Sequence, residues 1–460
     1  MEKTIGQEIL NSTKINKLIV DLVNEVMLHN QKIIGPKDAI PDQIAQAEEK
    51  KMKIGSLRGR PLYHPYIGSS SGHGPYVELE DGSIKLDLIN GIGIHVMGHG
   101  HPKLIEKAIR ASISDIVMQG NLQPNSEYVC LTESLVKFAS KNSRLKHAWL
   151  ATCGTMANEN ALKIARQKNT PAKMIVAFND AFAGRSTIMA EVTDNPAYKV
   201  GLPSYGEVLR LPFCSSTSKK ECSDDVLRKL KEYYAKYEKN ISCLVFEPMQ
   251  GEGGFRYGTK EFFTPLFEFC REKHIAVWAD EVQTFTRTGQ LFAFETLGIG
   301  EYIDICTVAK TVQTGATLYT EEYNPQPGLI AGTFSGSTVS LAVGNEILRI
   351  LTEEGYLGPE GKIQNIHKKF TKMLNELSEG SCKGHLNDAG GLGLMVAVTP
   401  YDGTKQKTED LIKRLYKNNL IAFSCGKDPY RIRFLIPAII QDNDIEVAKK
   451  IIEKSILEGI

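Results

Sequence analysis

The 460-residue sequence predicts an α/β protein, a large domain built on a mostly parallel sheet with a smaller lobe beside it. Three observations carry this. First, the runs Ile275-Ala-Val-Trp-Ala-Asp280 and Ile303-Asp-Ile-Cys-Thr-Val-Ala-Lys310 are short, apolar and end in a charged residue. They are too short for helices and lack the alternation of a half-wet sheet, so they read as buried parallel strands. Second, the strand-like Ala148–Ala151 runs into a glycine-containing turn that opens a long helix to Arg166. Third, the chain is longer than one typical hydrophobic core supports.

Composition is that of an ordinary globular protein, 42% hydrophobic and 24% charged. A net charge of +1 offers no basic field, so neither nucleic acid nor an anionic membrane is expected as a partner. The nine cysteines show no CxxC pair or metal-like spacing, and Met1-Glu-Lys-Thr-Ile-Gly6 lacks the n- and h-regions of a signal peptide. Reduced thiols and a cytoplasmic location are therefore expected. No apolar run approaches the roughly 20 residues that span a bilayer.

Along the chain, Ile15, Leu18, Ile19, Leu22 and Val26 recur at helical spacing within a polar first 60 residues. This amphipathic arm is expected to pack on the parent domain or on a partner subunit. The stretch Gly72 to Asp87 alternates around Asp81-Gly82 and reads as a hairpin carrying Tyr76. His95, His99 and His101 follow, but the glycines and proline among them disrupt helical ligand spacing and no carboxylate completes a set, so no metal is expected.

The turn Thr152-Cys-Gly154-Thr155 opens a helix whose unpaired N–H groups and dipole converge on one spot, which reads either as a plain helix start or as a phosphate cradle with Gly154 and Thr155 as contacts and Asn158 nearby. Strands Met174–Phe178 and Ser242–Phe246 lead to Phe182 and Arg185, and to Glu247 and Glu252. Later come a helix from Val339 to Leu351, a strand at 394–398, helices near 407–417 and 443–457, and the strand that bears Arg433.

Ligands of open α/β sheets sit beyond the carboxyl ends of the strands, so Asp280 and Lys310 are expected to face one crevice. A pyridoxal 5'-phosphate (PLP) site needs such a pair, a lysine to hold the cofactor and shuttle protons and an acid to keep the pyridine nitrogen protonated.

Glu247-Pro-Met-Gln-Gly-Glu252-Gly-Gly, Asp280-Glu-Val-Gln283-Thr, Lys310 and Gly332-Thr333-Phe334 occur in this order, and from about Pro61 onward the chain resembles the class III (ornithine/4-aminobutyrate/lysine-type) PLP-dependent aminotransferases. The resemblance implies fold type I, with a helical arm over residues 1–60, a first part of the small domain over 61–90, a large PLP domain over 91–345 and a C-terminal small domain over 346–460, so that both termini build the smaller α+β unit. It implies that Lys310 and Asp280 are catalytic, that Phe182 and Val282 pack on opposite ring faces, and that Gln283 binds the phenolic oxygen. Thr333 would reach the phosphate across a homodimer with shared sites. Tyr76, as a substrate-facing residue or as a surface tyrosine, and Arg185, as a carboxylate contact or a surface ion pair, are candidate donor contacts. Glu252 would gate Arg433, the acceptor's carboxylate partner.

The implied reaction moves an amino group, terminal in the donor, from an amine or amino acid such as lysine, ornithine or 4-aminobutyrate to 2-oxoglutarate. An epimerase, aminomutase or decarboxylase on the same fold, and an inactive scaffold, are the alternatives. The chain departs from the family at Ala183, where relatives carry a larger residue, at Ile92, where ornithine-type enzymes carry an aromatic, and at Ser337-Thr338, where Asn-Pro is common.

Overall fold

The computed structural model describes residues 3–62, 64, 66–114, 118, 119 and 122–460. Its centre is a seven-stranded sheet in the spatial order Leu145–Ala151, Gly315–Thr320, Ile305–Val308, Ala276–Asp280, Ile241–Phe246, Met174–Phe178, Val208–Leu211. From Ile305–Val308 to Val208–Leu211 every neighbouring pair is parallel. Ile241–Phe246, Ala276–Asp280 and Ile305–Val308 are buried along their whole length, as continuous apolar runs require. Helices cover both faces: Phe262, Phe263 and Phe267 of the helix Lys260–Glu272 join one core, and Ala161, Leu162 and Ala165 of the helix Gly154–Lys168 join the other, with Trp278.

One strand of that sheet, Gly315–Thr320, runs antiparallel to both neighbours and was not expected. The cause is local. A single turn at Lys310–Val312, with Gln313 left-handed at φ 59°, reverses the chain within a few residues. So short a connection can join only antiparallel strands.

Both termini build the smaller unit. Gly68–His73, Tyr76–Leu79 and Ile84–Asp87 form an antiparallel meander whose last strand pairs in parallel with Leu420–Ile421 from the C-terminal region. Beside it lies a four-stranded antiparallel sheet ordered Leu386–Leu392, Met395–Pro400, Arg431–Leu435, Phe423–Cys425. Tyr76 and Leu86 share one hydrophobic cluster with Phe370, Phe434 and Ile452.

The helix Thr13–Asn30 buries Ile19 and Val23, while Leu18 and Leu22 are 59% and 49% exposed. The expected stripe is thus rotated, and i, i+4 spacing from Ile15 defines the inner face. Reduced thiols are not found throughout: Cys214 and Cys222 form a disulfide, and the other seven cysteines are free. At the departure Ser337-Thr338 a helix still begins, because Ser337 caps Thr338–Glu353 through a reciprocal pair with Ser340. No helix among the described residues is long and apolar enough to cross a membrane.

Candidate active site

A cavity of about 410 Å³ opens at the carboxyl ends of the central strands, and Gly154, Asn158, Phe182, Glu252, Asp280 and Lys310 line it. Its floor is built first. Asp280 ends its strand and is 4% exposed, with Oδ1 accepting from the Val282 N–H at 3.0 Å and Oδ2 from Asn158 Nδ2 at 2.7 Å. Burial raises its pKa to about 6, against the pull of these two donors and of Lys310. Asn158 also donates to the Ala183 carbonyl at 2.8 Å, which fixes the amide's direction.

Gly154 is the first residue of its 15-residue helix, and no side chain caps that end. A Cβ at Gly154 would lie 2.7 Å from Val282 Cγ1, so only glycine lets the helix end approach the Asp280 loop this closely. The same holds across the cradle, where a Cβ at Gly184 would lie 2.5 Å from Thr155 Oγ1. Several first-turn N–H groups thus lack intrahelical partners at the positive end of a long helix, facing the cavity.

Lys310 follows the strand Ile305–Val308 in a left-handed conformation, φ 56°, and is half-buried against the cavity. Burial lowers its pKa to about 8; Arg287 and Arg433 push the same way, Glu252 and Asp280 oppose. Val282 and Gln283 complete the floor, and the Oε1 of Gln283 and the Oδ1 of Asn158 are buried without partners.

The walls come from loops. Glu247 holds two of them: Oε1 accepts from the Phe182 N–H at 3.0 Å and Oε2 from the Gly251 N–H at 2.9 Å. Burial, then the Asp280 charge, raises the Glu247 pKa to about 8. Glu252 pairs with Arg433 at 2.7 Å, the guanidinium being 3% exposed. Two residues earlier on the same strand, Arg431 donates to the Gly254 and Ala397 carbonyls at 2.6 and 3.1 Å. The Gly426 N–H donates to the Glu252 carbonyl at 2.7 Å, so the Gly251–Gly254 loop is fastened to the smaller unit at several points.

Of the sequence-predicted site residues, the cavity gathers Gly154, Thr155, Asn158, Phe182, Glu252, Asp280, Val282, Gln283 and Lys310, with Arg433 directly behind Glu252. It does not gather Tyr76, Arg185 or Thr333. Tyr76 is 4% exposed and its hydroxyl donates to Asp444 Oδ1 at 2.8 Å, which turns it into the core of the smaller unit. Neither a substrate-facing nor a surface tyrosine describes that placement. Arg185 is exposed, its guanidinium 3.8 Å from the ring of Tyr198, which in turn meets Phe182 edge-on. It makes no ion pair among the described residues, so of its two readings the surface ion pair does not hold. Thr333 is exposed outside the cavity.

Glu247, which the sequence marked only as the start of its motif and gave no site role, and Ile94, which it did not mark, also line the cavity. Glu247 carried the signal that found Asp280, an acid ending a buried strand; nothing in the spacing marked Ile94.

The residues present fit PLP. A helix end without a cap suits a phosphate, a fixed buried carboxylate suits a ring nitrogen, and the amides of Asn158 and Gln283, both on the cavity lining, each keep an oxygen without a hydrogen-bond partner.

A model of the family described as aminotransferase class-III matches residues 61–456. The chain is 30% identical over 407 residues to a probable 4-aminobutyrate aminotransferase of Bacillus subtilis, covering 83% of this chain and 91% of that protein. It is 29% identical over 421 residues to a 5-aminovalerate aminotransferase of Pseudomonas aeruginosa, covering 86% and 95%. Among solved structures, a lysine aminotransferase of M. tuberculosis in the internal aldimine form has the same fold, with a TM-score of 0.76 at 20% identity over 89% of this chain and all of that one.

Proposed function

We propose a donor and an acceptor from one premise: the chain belongs to the class III aminotransferases, PLP-dependent enzymes that transfer an amino group. The donor is an amino acid reacting through its terminal amine, of the lysine, ornithine, 5-aminovalerate or 4-aminobutyrate kind, and the acceptor is 2-oxoglutarate. The carrying observation is the Glu252–Arg433 pair at the cavity wall. An enzyme that takes two substrates with different carboxylates in one pocket needs an arginine that can be hidden in one half-reaction and offered in the other.

Bound PLP supplies an electron sink for the carbanion left when the amine-bearing carbon loses a proton. This chain's residues do the rest. Lys310 Nζ takes that proton and returns it. Asp280, oriented by Asn158 and the Val282 N–H, holds a proton on the ring nitrogen. The helix end at Gly154 and Thr155 would bind the phosphate, Phe182 and Val282 would hold the ring, and Gln283 would meet the phenolic oxygen. Arg185, exposed and steadied on Tyr198, meets the donor's remote carboxylate.

When the acceptor enters, its α-carboxylate displaces Glu252, and Arg433 forms charge-assisted bonds worth about 1.5–3 kcal/mol each. The enzyme acts as a homodimer in which the exposed Thr333 completes the partner's phosphate site, and it works in the cytoplasm, which suits the seven free cysteines but not the Cys214–Cys222 disulfide. The test is a panel of amines and ω-amino acids with 2-oxoglutarate, scored by glutamate formation. Glutamate from terminal-amine donors is expected. No glutamate from any donor overturns the acceptor, and preference for α-amino donors overturns the donor class.

A further inference from the structure

Arg287 is buried, 1% exposed, and no ion pair to it exists among the described residues. Its guanidinium instead donates to the Gln283 carbonyl at 2.8 Å, the Phe285 carbonyl at 3.2 Å and Thr311 Oγ1 at 2.8 Å. Room for it is made by Gly93, where a Cβ would lie 2.7 Å from Nη2. Burial lowers its pKa to about 9, so it remains a cation at neutral pH. A buried charge without a counter-charge is costly, and a residue kept in that state needs a reason.

Its contacts give one. Gln283 belongs to the loop after Asp280, and Thr311 follows Lys310, so a single side chain joins the two segments that present the cavity's acid and its lysine. Thr286 Oγ1 adds a second link, donating to Thr311 Oγ1 at 3.1 Å. The charged groups acting on Lys310 are the cations Arg287 and Arg433 and the anions Glu252 and Asp280, with Arg287 foremost among the four. Glu252 neutralises Arg433 directly, whereas Arg287 has no such partner.

We propose that Arg287 is a positioning residue of the amino-transfer site: it braces the Gln283 loop against the Lys310 turn, and its uncompensated charge enlarges the neutral, nucleophilic fraction of the Lys310 amine. The proposal rests on the reading of Lys310 as the reactive lysine. If that reading fails, Lys310→Ala retains turnover, an outcome separate from the titration below.

The test uses cofactor-free full-length protein and trace labelling with acetic anhydride from about pH 6 to 11, with the Lys310 peptide quantified by mass spectrometry. The wild-type midpoint is expected near about 8. Arg287→Gln should move it upward by about one unit, leaving about tenfold less neutral amine at pH 7. Arg287→Lys keeps the charge and should hold the midpoint within about 0.3 unit of wild type, while PLP affinity falls because the brace is lost. A merely structural arginine would not split the two variants in this way. An unmoved midpoint in Arg287→Gln, or an equal shift in both variants, overturns the electrostatic role, and undiminished PLP affinity in Arg287→Lys overturns the brace. Should Arg287→Gln fail to fold, a wild-type midpoint at about 10 or above, the ordinary lysine value, overturns the proposal without any variant.

Discussion

The floor and the rim of the cavity are built differently. Asp280, Asn158 and Lys310 stand at the ends of buried strands and on the first turns of a buried helix, with Asp280 and Asn158 bonded to each other. Glu252, Arg185 and Thr333 stand on loops; Glu252 depends on the smaller unit for its partner, and the other two lie outside the cavity of a single chain. A site of this kind fixes its chemistry in the sheet and leaves substrate choice to parts that can change without disturbing the core.

If that contrast holds, damage to the floor should abolish turnover and damage to the rim should divide the half-reactions. Lys310→Ala is expected to lower turnover by about four orders of magnitude or more while the fold and some non-covalent PLP binding survive, by circular dichroism and equilibrium dialysis. A well-folded, active Lys310→Ala protein would remove the floor's claim to the chemistry. Asp280→Asn should cost about two to three orders of magnitude in turnover, since a preorganised charge is lost where charge develops.

At the rim, Arg433→Ala should slow the acceptor half-reaction by about a hundredfold, equivalent to about 2.7 kcal/mol, and leave the donor half much less affected, by stopped-flow absorbance. Equal losses in both halves would make Arg433 part of the scaffold. The smallest effect is expected from Tyr76→Phe, which removes the donor to Asp444 Oδ1 while the Gln441 N–H still bonds Oδ2. Thermal or urea unfolding should show a loss of about 1 kcal/mol with kcat/KM within about twofold of wild type. A selective loss with the amino donor would return Tyr76 to the substrate site.

The floor was legible because its signals are physical and local. An apolar run ending in an acid, another ending in a lysine, and a glycine at a helix start each have one economical structural reading. The Glu252–Arg433 pair at the rim was expected too, and Tyr76 shows why other substrate contacts were not legible. Alternation in its strand says which face it shares with its neighbours, but not that the helix Asp442–Leu457, far along the chain, brings Asp444 against its hydroxyl. The antiparallel strand Gly315–Thr320 escaped for a related reason, since strand direction depended on a left-handed Gln313 that composition does not announce. Arg287 lies three residues beyond the Asp280-Glu-Val-Gln-Thr motif, and that it is buried with no ion pair among the described residues follows only from three-dimensional packing.

Arg431 and Arg433 leave the same strand toward the same loop, and only the second ends on a carboxylate. In the proposed gate, Glu252 would release Arg433 while the bonds from Arg431 to Gly254 and from the Gly426 N–H to Glu252's own carbonyl remain, so the loop's backbone would stay moored. Exchange between substrates is then a swing of one carboxylate about its side-chain torsions, a fast local rotation rather than a hinge motion of whole bodies through solvent. An enzyme built this way changes partners without stirring the medium, and thickening that medium with a small viscogen should leave the rate of the gate itself untouched.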